Sequence, residues 1–381
     1  MGEIDRVLGG GFVPGASVLV GGEPGVGKST LLLQVAASLA GGGATVLVAS
    51  AEESAEQVAL RAARLGIDQD GLLLAAERDV DAVIAAAAEA RPDLLVVDSI
   101  QTIAAGEVAG AAGGVAQVRE SAARLVHFAK ERRVPVVLVG HVTKDGSIAG
   151  PKLLEHAVDV VLYLEGDVEL GLRVLRCLKN RYGATHQVGL FEMGEAGLGE
   201  VADPSGWLLA RWHGGVPGSV VVPTVDGRRP LLVEVQALVA SATTPQPRRS
   251  VRGLEAARVH QVVAVLERHA GQSFAGRDVY VNVVGGLKVR DPGADLPVAI
   301  ALVSSLHDIG LPAVAAWGEV GLTGEVRPVT YGERRAAEAA RLGIEVTIGP
   351  TGTGEDRITT ALQRAGLPVE GGGRPPAPIL S

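Results

Sequence analysis

The stretch "GGEPGVGKST", Gly21 to Thr30, constrains this chain more than any other. Gly22, Glu23, Pro24, Gly25, Val26, Gly27, Lys28 and Ser29 satisfy the spacing G-x-x-x-x-G-K-[ST]. The apolar run "ASVLVG" ahead of it suits a buried strand, and "TLLLQVAASLA" behind it suits a helix. A strand, a Gly-rich turn and a helix start in that order let backbone N–H groups converge on phosphate oxygens, with the partial positive charge of the helix end behind them. Lys28 would reach the β and γ phosphates, and Ser29, followed by Thr30, would hold Mg²⁺. ATP and Mg²⁺ are therefore the expected cofactors.

Two further strand ends fit the same chemistry. "DLLVVDSIQT" is an apolar run tipped by Asp98, suited to hold Mg²⁺ through water. "TVLVASAEES" ends in Glu52 and Glu53, either of which could position the attacking water as catalytic base. "SAEE" from Ser50 also reads as a capping box, which would make these acids mere helix-start residues. "VPVVLVGHVTKDGSIAG" is a strand ending at His141, where a polar group could sense the γ-phosphate. The bland alternative is a satisfied strand-end histidine.

Strand-like runs recur at 17–21, 45–50, 72–76, 94–98, 134–139 and 158–164, with helical patterns at 29–41, 54–65, 79–90 and 115–132. Such alternation predicts a mostly parallel α/β sheet covered on both faces, with ligands at the carboxyl ends of its strands. Two Gly-rich stretches, "AAGEVAGAAGGVAQ" and "TKDGSIAGPK", look too poor in apolar residues to pack as core. They are either solvated connectors or the lining of a channel for a polyanion.

At 381 residues two or three domains are expected, and 47% apolar residues supply their cores. The net charge of −8 offers no global attraction to nucleic acid, so any such surface must be local. The single cysteine, Cys177, excludes an internal disulfide framework and a cysteine-based zinc site, and fits a reducing compartment. No apolar stretch of membrane-spanning length and no signal-peptide pattern is present, so a soluble cytoplasmic protein with no membrane partner is expected.

Together with "CLKNRYGAT", the stretches "GGEPGVGKST", "VVDSIQT" and "GHVTKDGSIAGPKLLEHAVD" resemble the bacterial RadA (Sms) family of RecA-like recombination and repair ATPases, along nearly the whole chain. The family's Lys-Asn-Arg-Phe-Gly motif falls on Lys179, Asn180, Arg181, Tyr182 and Gly183, with tyrosine keeping the ring. Lys179 and Arg181 alternate and would point the same way, which calls for an anion. The resemblance implies that this anion is the γ-phosphate held by a neighbouring subunit, against the alternative of a merely solvated turn. It further implies a homo-oligomeric, hexameric ring on single-stranded and branched DNA that drives branch migration with ATP, alongside a recombinase partner. Lys144, Lys152 and Arg119 would then touch DNA phosphates from the channel loops.

There are departures. The family's four-cysteine zinc finger has no counterpart in this sequence, so no zinc is expected. Residues 110–116 read Gly-Ala-Ala-Gly-Gly-Val-Ala where the family has a serine-bearing loop, so hydroxyl contacts to DNA are not expected there.

The expected organisation is a RecA-like ATPase domain at 1–200, connecting strands and linker at 201–252, and an α+β Lon-protease-like domain at 253–381. A hairpin across "VDGRR" is expected first, and "SATTPQPRRSVRG" reads as a linker. Helices follow at 254–269, 296–307 and 333–342, with strands at 278–284 and within 314–329. The positions implied for the protease serine and lysine hold Ala294 and Glu333, and Ser304 and Ser305 look structural, so the domain is expected to be proteolytically inactive. Lys288, Arg290, Arg248, Arg249 and Arg252 are its candidate DNA surface. Two alternatives to a DNA-dependent ATPase stand beside it: an ATPase that regulates protein partners and, disfavoured, an ATP-dependent protease.

Overall fold

The computed structural model describes residues 2–141, 154–166, 171–185, 187–227, 229–352 and 356–369. They form two compact units, Met1–Ala202 and Asp203–Ser381.

The first unit is built on a nine-stranded sheet. Its strands are β1 (Ser17–Gly22), β2 (Val46–Ser50), β3 (Leu72–Ala75), β4 (Leu94–Asp98), β5 (Val136–His141), β6 (Val160–Gly166), β7 (Leu172–Asn180), β8 (Val188–Gly194) and β9 (Gly197–Glu200), in the order β3-β2-β4-β5-β1-β6-β7-β8-β9. Strands β1 to β6 run parallel, and β7 to β9 extend the sheet antiparallel. The helices are α1 (Gly2–Leu8), α2 (Lys28–Gly41), α3 (Ala55–Arg64), α4 (Val80–Ala90) and α5 (Val115–Arg132). The α/β class expected from the sequence is what this unit shows.

Near-continuous apolar strands are what a sheet buried on both faces requires. Alternate residues feed opposite cores because successive side chains point to opposite faces. Val18, Val20, Val96, Val137 and Val139 pack with Leu31 and Val35 of α2. Leu19, Leu47, Leu95, Val97 and Leu138 pack with Val83 of α4 and Val118 and Leu125 of α5.

Two local expectations need correction. The capping box at α3 belongs to Ser54 and Gln57, not to Ser50: the Gln57 N–H donates to Ser54 Oγ and the Ser54 N–H to Gln57 Oε1. Ser50 Oγ instead bonds the backbone of Glu53. The stretch 104–117 is also not wholly outside the core. Ala105 is buried and Val108 packs on the same cluster. The buried Gln117 amide holds them, accepting from the Ala105 N–H (2.8 Å) and donating to the Val108 carbonyl (2.5 Å). Four hydrogen bonds of one side chain, to Ala105, Val108 and Gly110, replace the apolar residues this segment lacks.

In the second unit β10 (Ser219–Asp226), β11 (Arg229–Ser241), β12 (Arg249–Arg252), β13 (Arg277–Val283), β14 (Val314–Ala316) and β17 (Val346–Ile348) form a six-stranded sheet, and β15 (Glu319–Val320) and β16 (Val326–Arg327) a small ribbon. The β10–β11 hairpin turns where "VDGRR" indicates, closing at Asp226 opposite Arg229. Helices at Ala256–Ala270, Asp295–Leu306 and Gly332–Arg341 follow the expected order. The 201–252 stretch supplies three of the sheet's six strands, so it is integral to this unit instead of connecting two others. Its "RSVR" segment is the edge strand β12, and an edge tolerates charges that an interior strand does not.

Candidate functional site

The sheet registers bring the predicted residues of the phosphate site together. Gly22 of β1 lies opposite His141 of β5, and Ser50 of β2 lies opposite Asp98 of β4. Glu52 follows β2 directly, so every one of these groups sits at a strand's carboxyl end.

The loop between β1 and α2 has Glu23, Pro24 and Gly25 at its exposed tip and Val26 buried beneath. Only glycine fits at position 22, because a Cβ there would lie 2.4 Å from the Leu164 carbonyl oxygen. Gly27 has φ 110° and caps α2 without any side-chain hydrogen bond, which leaves the first-turn amides available. Lys28 opens α2, and Thr30 sits half-buried in its first turn. Lys28 is 4% exposed, and its ammonium donates to the carbonyls of Gly22 (2.9 Å) and Glu23 (3.0 Å). Burial lowers its pKa, against the opposing charges of Asp98 and Glu52.

Burial raises the pKa of Asp98, the neighbouring Ser29 hydroxyl only partly offsetting it, and the Oδ1 atom is buried with no hydrogen-bond partner. An orphaned carboxylate oxygen beside a hydroxyl fits a hydrated divalent cation, which would be held chiefly by phosphate oxygens and water.

The two glutamates separate. Glu52 Oε1 accepts from the Ser99 hydroxyl and lies 3.0 Å from His141 Nε2. The hydrogen bond with His141, opposed by burial and reinforced by Ser99, holds its pKa down at about 2. Glu53 turns toward α3 and pairs with Arg61. The stretch after β4 wires the site: Ser99 reaches Glu52, Gln101 Nε2 donates to the His141 carbonyl (3.1 Å), and Thr102 Oγ1 donates to the Ser99 carbonyl (2.8 Å). Sequence reasoning passed over Ser99 and Gln101, although both stand in the quoted "VVDSIQT". It also passed over Arg173, a cation in the otherwise apolar start of β7, whose guanidinium reaches the Val26 carbonyl.

Lys179 and Arg181 are not part of this cluster. Asn180 pairs with Val160, and Val160 with Val18, so the 179–181 turn lies at the opposite end of the sheet from Gly22. Within the chain each of the two cations already has partners. Lys179 Nζ donates to the carbonyls of Glu155 and Val158, both at 2.7 Å, while Arg181 pairs with Asp159 at 3.2 Å. Asp159 is itself buried. Burial opposes its ionisation, yet donation from the Ser17 N–H and hydroxyl, with the charges of Lys130 and Arg181, keeps its pKa below the usual range. Of the two cations Arg181 is the freer, with 53% of its side chain exposed. Arg119 is exposed on α5. Lys144 and Lys152 lie outside the described residues.

In the second unit Ala294 is buried at the end of a short 3₁₀ turn, Pro292–Ala294, and Glu333 is exposed in the first turn of the 332–341 helix. The ground near Ala294 is occupied by a buried ion pair. Arg335 Nη1 donates to Asp291 Oδ2 (2.6 Å) and to the Pro223 carbonyl (2.5 Å). Ser304 Oγ accepts from the Gly218 N–H and Ser305 Oγ from the Val239 N–H, so both hydroxyls serve the fold. Arg335→Ala would strand the Asp291 carboxylate, and the expected loss is about 3–5 kcal/mol. All 3 tryptophans, Trp207, Trp212 and Trp317, lie in this unit, so urea unfolding followed by their emission measures it.

Arg249 and Arg252 are exposed on β12, with Arg248 just before it, and Lys288 and Arg290 are exposed on the neighbouring 287–290 segment. The bond from the Val289 N–H to the Gly253 carbonyl (2.8 Å) ties the two together. None of these five cations forms an ion pair among the described residues.

Comparison with known proteins places the chain in a family. Residues 3–147 match a family described as an AAA domain. The chain is 48% identical over 362 residues to DNA repair protein RadA of Pseudomonas aeruginosa, covering 95% of this chain and 80% of that protein. The RadA proteins of Escherichia coli and Bacillus subtilis are each 48% identical, over 96% and 92% of this chain and 79% and 77% of theirs. Among solved structures, the RadB recombinase aligns with a TM-score of 0.41 at 24% identity, over 52% of this chain and 96% of that one. Among the described residues no helix is long and apolar enough to cross a membrane. With relatives 48% identical over 92–96% of its length, the chain belongs to the RadA family of DNA repair proteins.

Proposed function

We propose that the chain is a DNA-dependent ATPase that processes branched recombination intermediates as a ring of identical subunits in the cytoplasm. The observation that carries this reading is the convergence of Lys28, Ser29, Asp98, Glu52 and His141 on the carboxyl ends of adjacent strands. ATP supplies the transferable γ-phosphoryl group. Lys28 leaves the loop carbonyls it holds in the resting chain and meets phosphate oxygens instead. Ser29 and Asp98 hold magnesium. Glu52 orients the attacking water, and His141, bonded to the same carboxylate, reports the change to the segment that follows β5. Arg181 of the adjacent subunit completes the site. Its distance from its own Gly22, about 17 Å along the strand direction at the usual rise, favours action between subunits over action within one.

DNA is held by local positive surfaces, since the chain as a whole is acidic. Arg119 stands beyond the 104–114 loop, and the β12 cations offer a second strip. The second unit, a Lon-protease-like domain by resemblance, serves this scaffold role without peptide cleavage, because Ala294 has no nucleophile. The test is ATP turnover with and without single-stranded DNA. Stimulation is expected to weaken by roughly an order of magnitude or more between about 50 and 200 mM salt, as phosphate contacts dictate. Turnover indifferent to DNA at every salt would instead favour an ATPase that acts on protein partners.

A further inference from the structure

We infer that Arg173 is a positioning residue for nucleotide binding: it aims the Gly27 amide of the phosphate loop by holding the Val26 carbonyl from behind. Arg173 stands on β7, paired with Gly166 of β6 and Phe191 of β8, and is 3% exposed. Its Nε donates to the Val26 carbonyl at 2.8 Å and its Nη1 to the Leu172 carbonyl at 3.0 Å. The absence of a side chain at Gly166 makes room for it, since a Cβ there would lie 2.6 Å from Arg173 Cδ.

The consequence follows from peptide geometry. In a planar trans peptide the C=O and the following N–H point in opposite directions. With the Val26 oxygen drawn toward Arg173, the Gly27 N–H faces the other way, away from β7. That N–H makes no hydrogen bond among the described residues. Gly27 itself sits at φ 110°, a conformation only glycine adopts readily, so the peptide before it needs an external restraint to keep one orientation. A guanidinium donor, fixed by its second bond to the Leu172 carbonyl, supplies one. Both bonds run to backbone carbonyls of the fold, so Arg173 prepares the loop instead of acting in the reaction.

This inference rests on the reading of residues 21–30 as the ATP site, and the experiment separates the two. Binding of ATP and of ADP, turnover, and thermal unfolding with and without nucleotide are measured on the full chain and on Arg173→Met and Arg173→Lys. The expected result for Arg173→Met is a dissociation constant raised about ten- to a hundredfold, equally for ADP and ATP, because the amide serves both. Turnover at saturating ATP stays within about threefold, the pattern for lost uniform binding. The melting temperature without nucleotide falls by several degrees, since the Val26 carbonyl loses its donor, and the nucleotide-induced rise shrinks as well. Arg173→Lys, which keeps one donor, recovers part of the affinity. If Arg173→Met does not fold, the lysine variant decides alone: weakened binding supports the role and unchanged binding overturns it. Unchanged affinity in a folded variant, or a fall in turnover with affinity intact, also overturns it. Failure of the unaltered chain to bind nucleotide would remove the ATP reading itself, a distinct result.

Discussion

A one-to-one mixture of Lys28→Ala and Arg181→Ala chains recovers ATP turnover that neither variant shows alone. Lys28→Ala removes the buried ammonium that meets the phosphates, and its own site is dead. Arg181→Ala keeps its phosphate loop intact and still binds ATP, but its neighbour loses the completing cation, a loss expected at about 10³-fold or more by analogy with arginine fingers. In a head-to-tail ring each site lies between two copies, so an Arg181→Ala subunit next to a Lys28→Ala subunit rebuilds one whole site. Random assembly gives about one such interface in four, and the recovered rate should approach that share of the unaltered protein's. Arg181 is chosen over Lys179 because Lys179 spans two carbonyls and Arg181 is half exposed beside Asp159. No recovery from subunits shown to mix would remove the inter-subunit role.

The difference between those two cations shows where sequence reading stops. The resemblance of "LKNRYG" to the family motif singles out both and cannot reveal that Glu155 and Val158 turn their carbonyls toward one of them. The parallel strands were legible because each is a continuous apolar run between helical patterns, and the phosphate loop because its glycines and lysine fall at fixed spacing. Asp98 and His141 were legible as polar residues ending apolar runs. What stayed hidden depends on contacts distant in sequence. Ser99 matters through Glu52, which lies 47 positions earlier. Arg173 matters through Val26, which lies 147 positions earlier. Strand β12 was hidden for the opposite reason: an edge strand paired on one side only can be as charged as a linker. The choice between Glu52 and Glu53 needed geometry, since neighbours at a strand's end can turn to opposite sides.

That geometry gives the second large effect. Glu52→Gln is expected to lower turnover about 10²–10⁴-fold while nucleotide still binds. Glu53→Gln should cost only the contact with Arg61 and leave most of the rate. Glutamine keeps a carbonyl that accepts from Ser99, so the fold around the site survives the change. With its pKa held at about 2, Glu52 is a poor proton acceptor and would act in the proposed reaction by orienting water, so its protonation is not expected to limit turnover between about pH 5 and 8. The same depression sets a stability signature. The folded pKa lies below the ordinary value of 4.5, so the group's contribution is fully present above that value and is lost as pH falls toward about 2. Acid unfolding of Glu52→Gln should therefore lack the part of the pH dependence that falls in that window, and Glu53→Gln should retain it. Equal losses of turnover in the two variants would show that Glu52 holds no special place in the reaction.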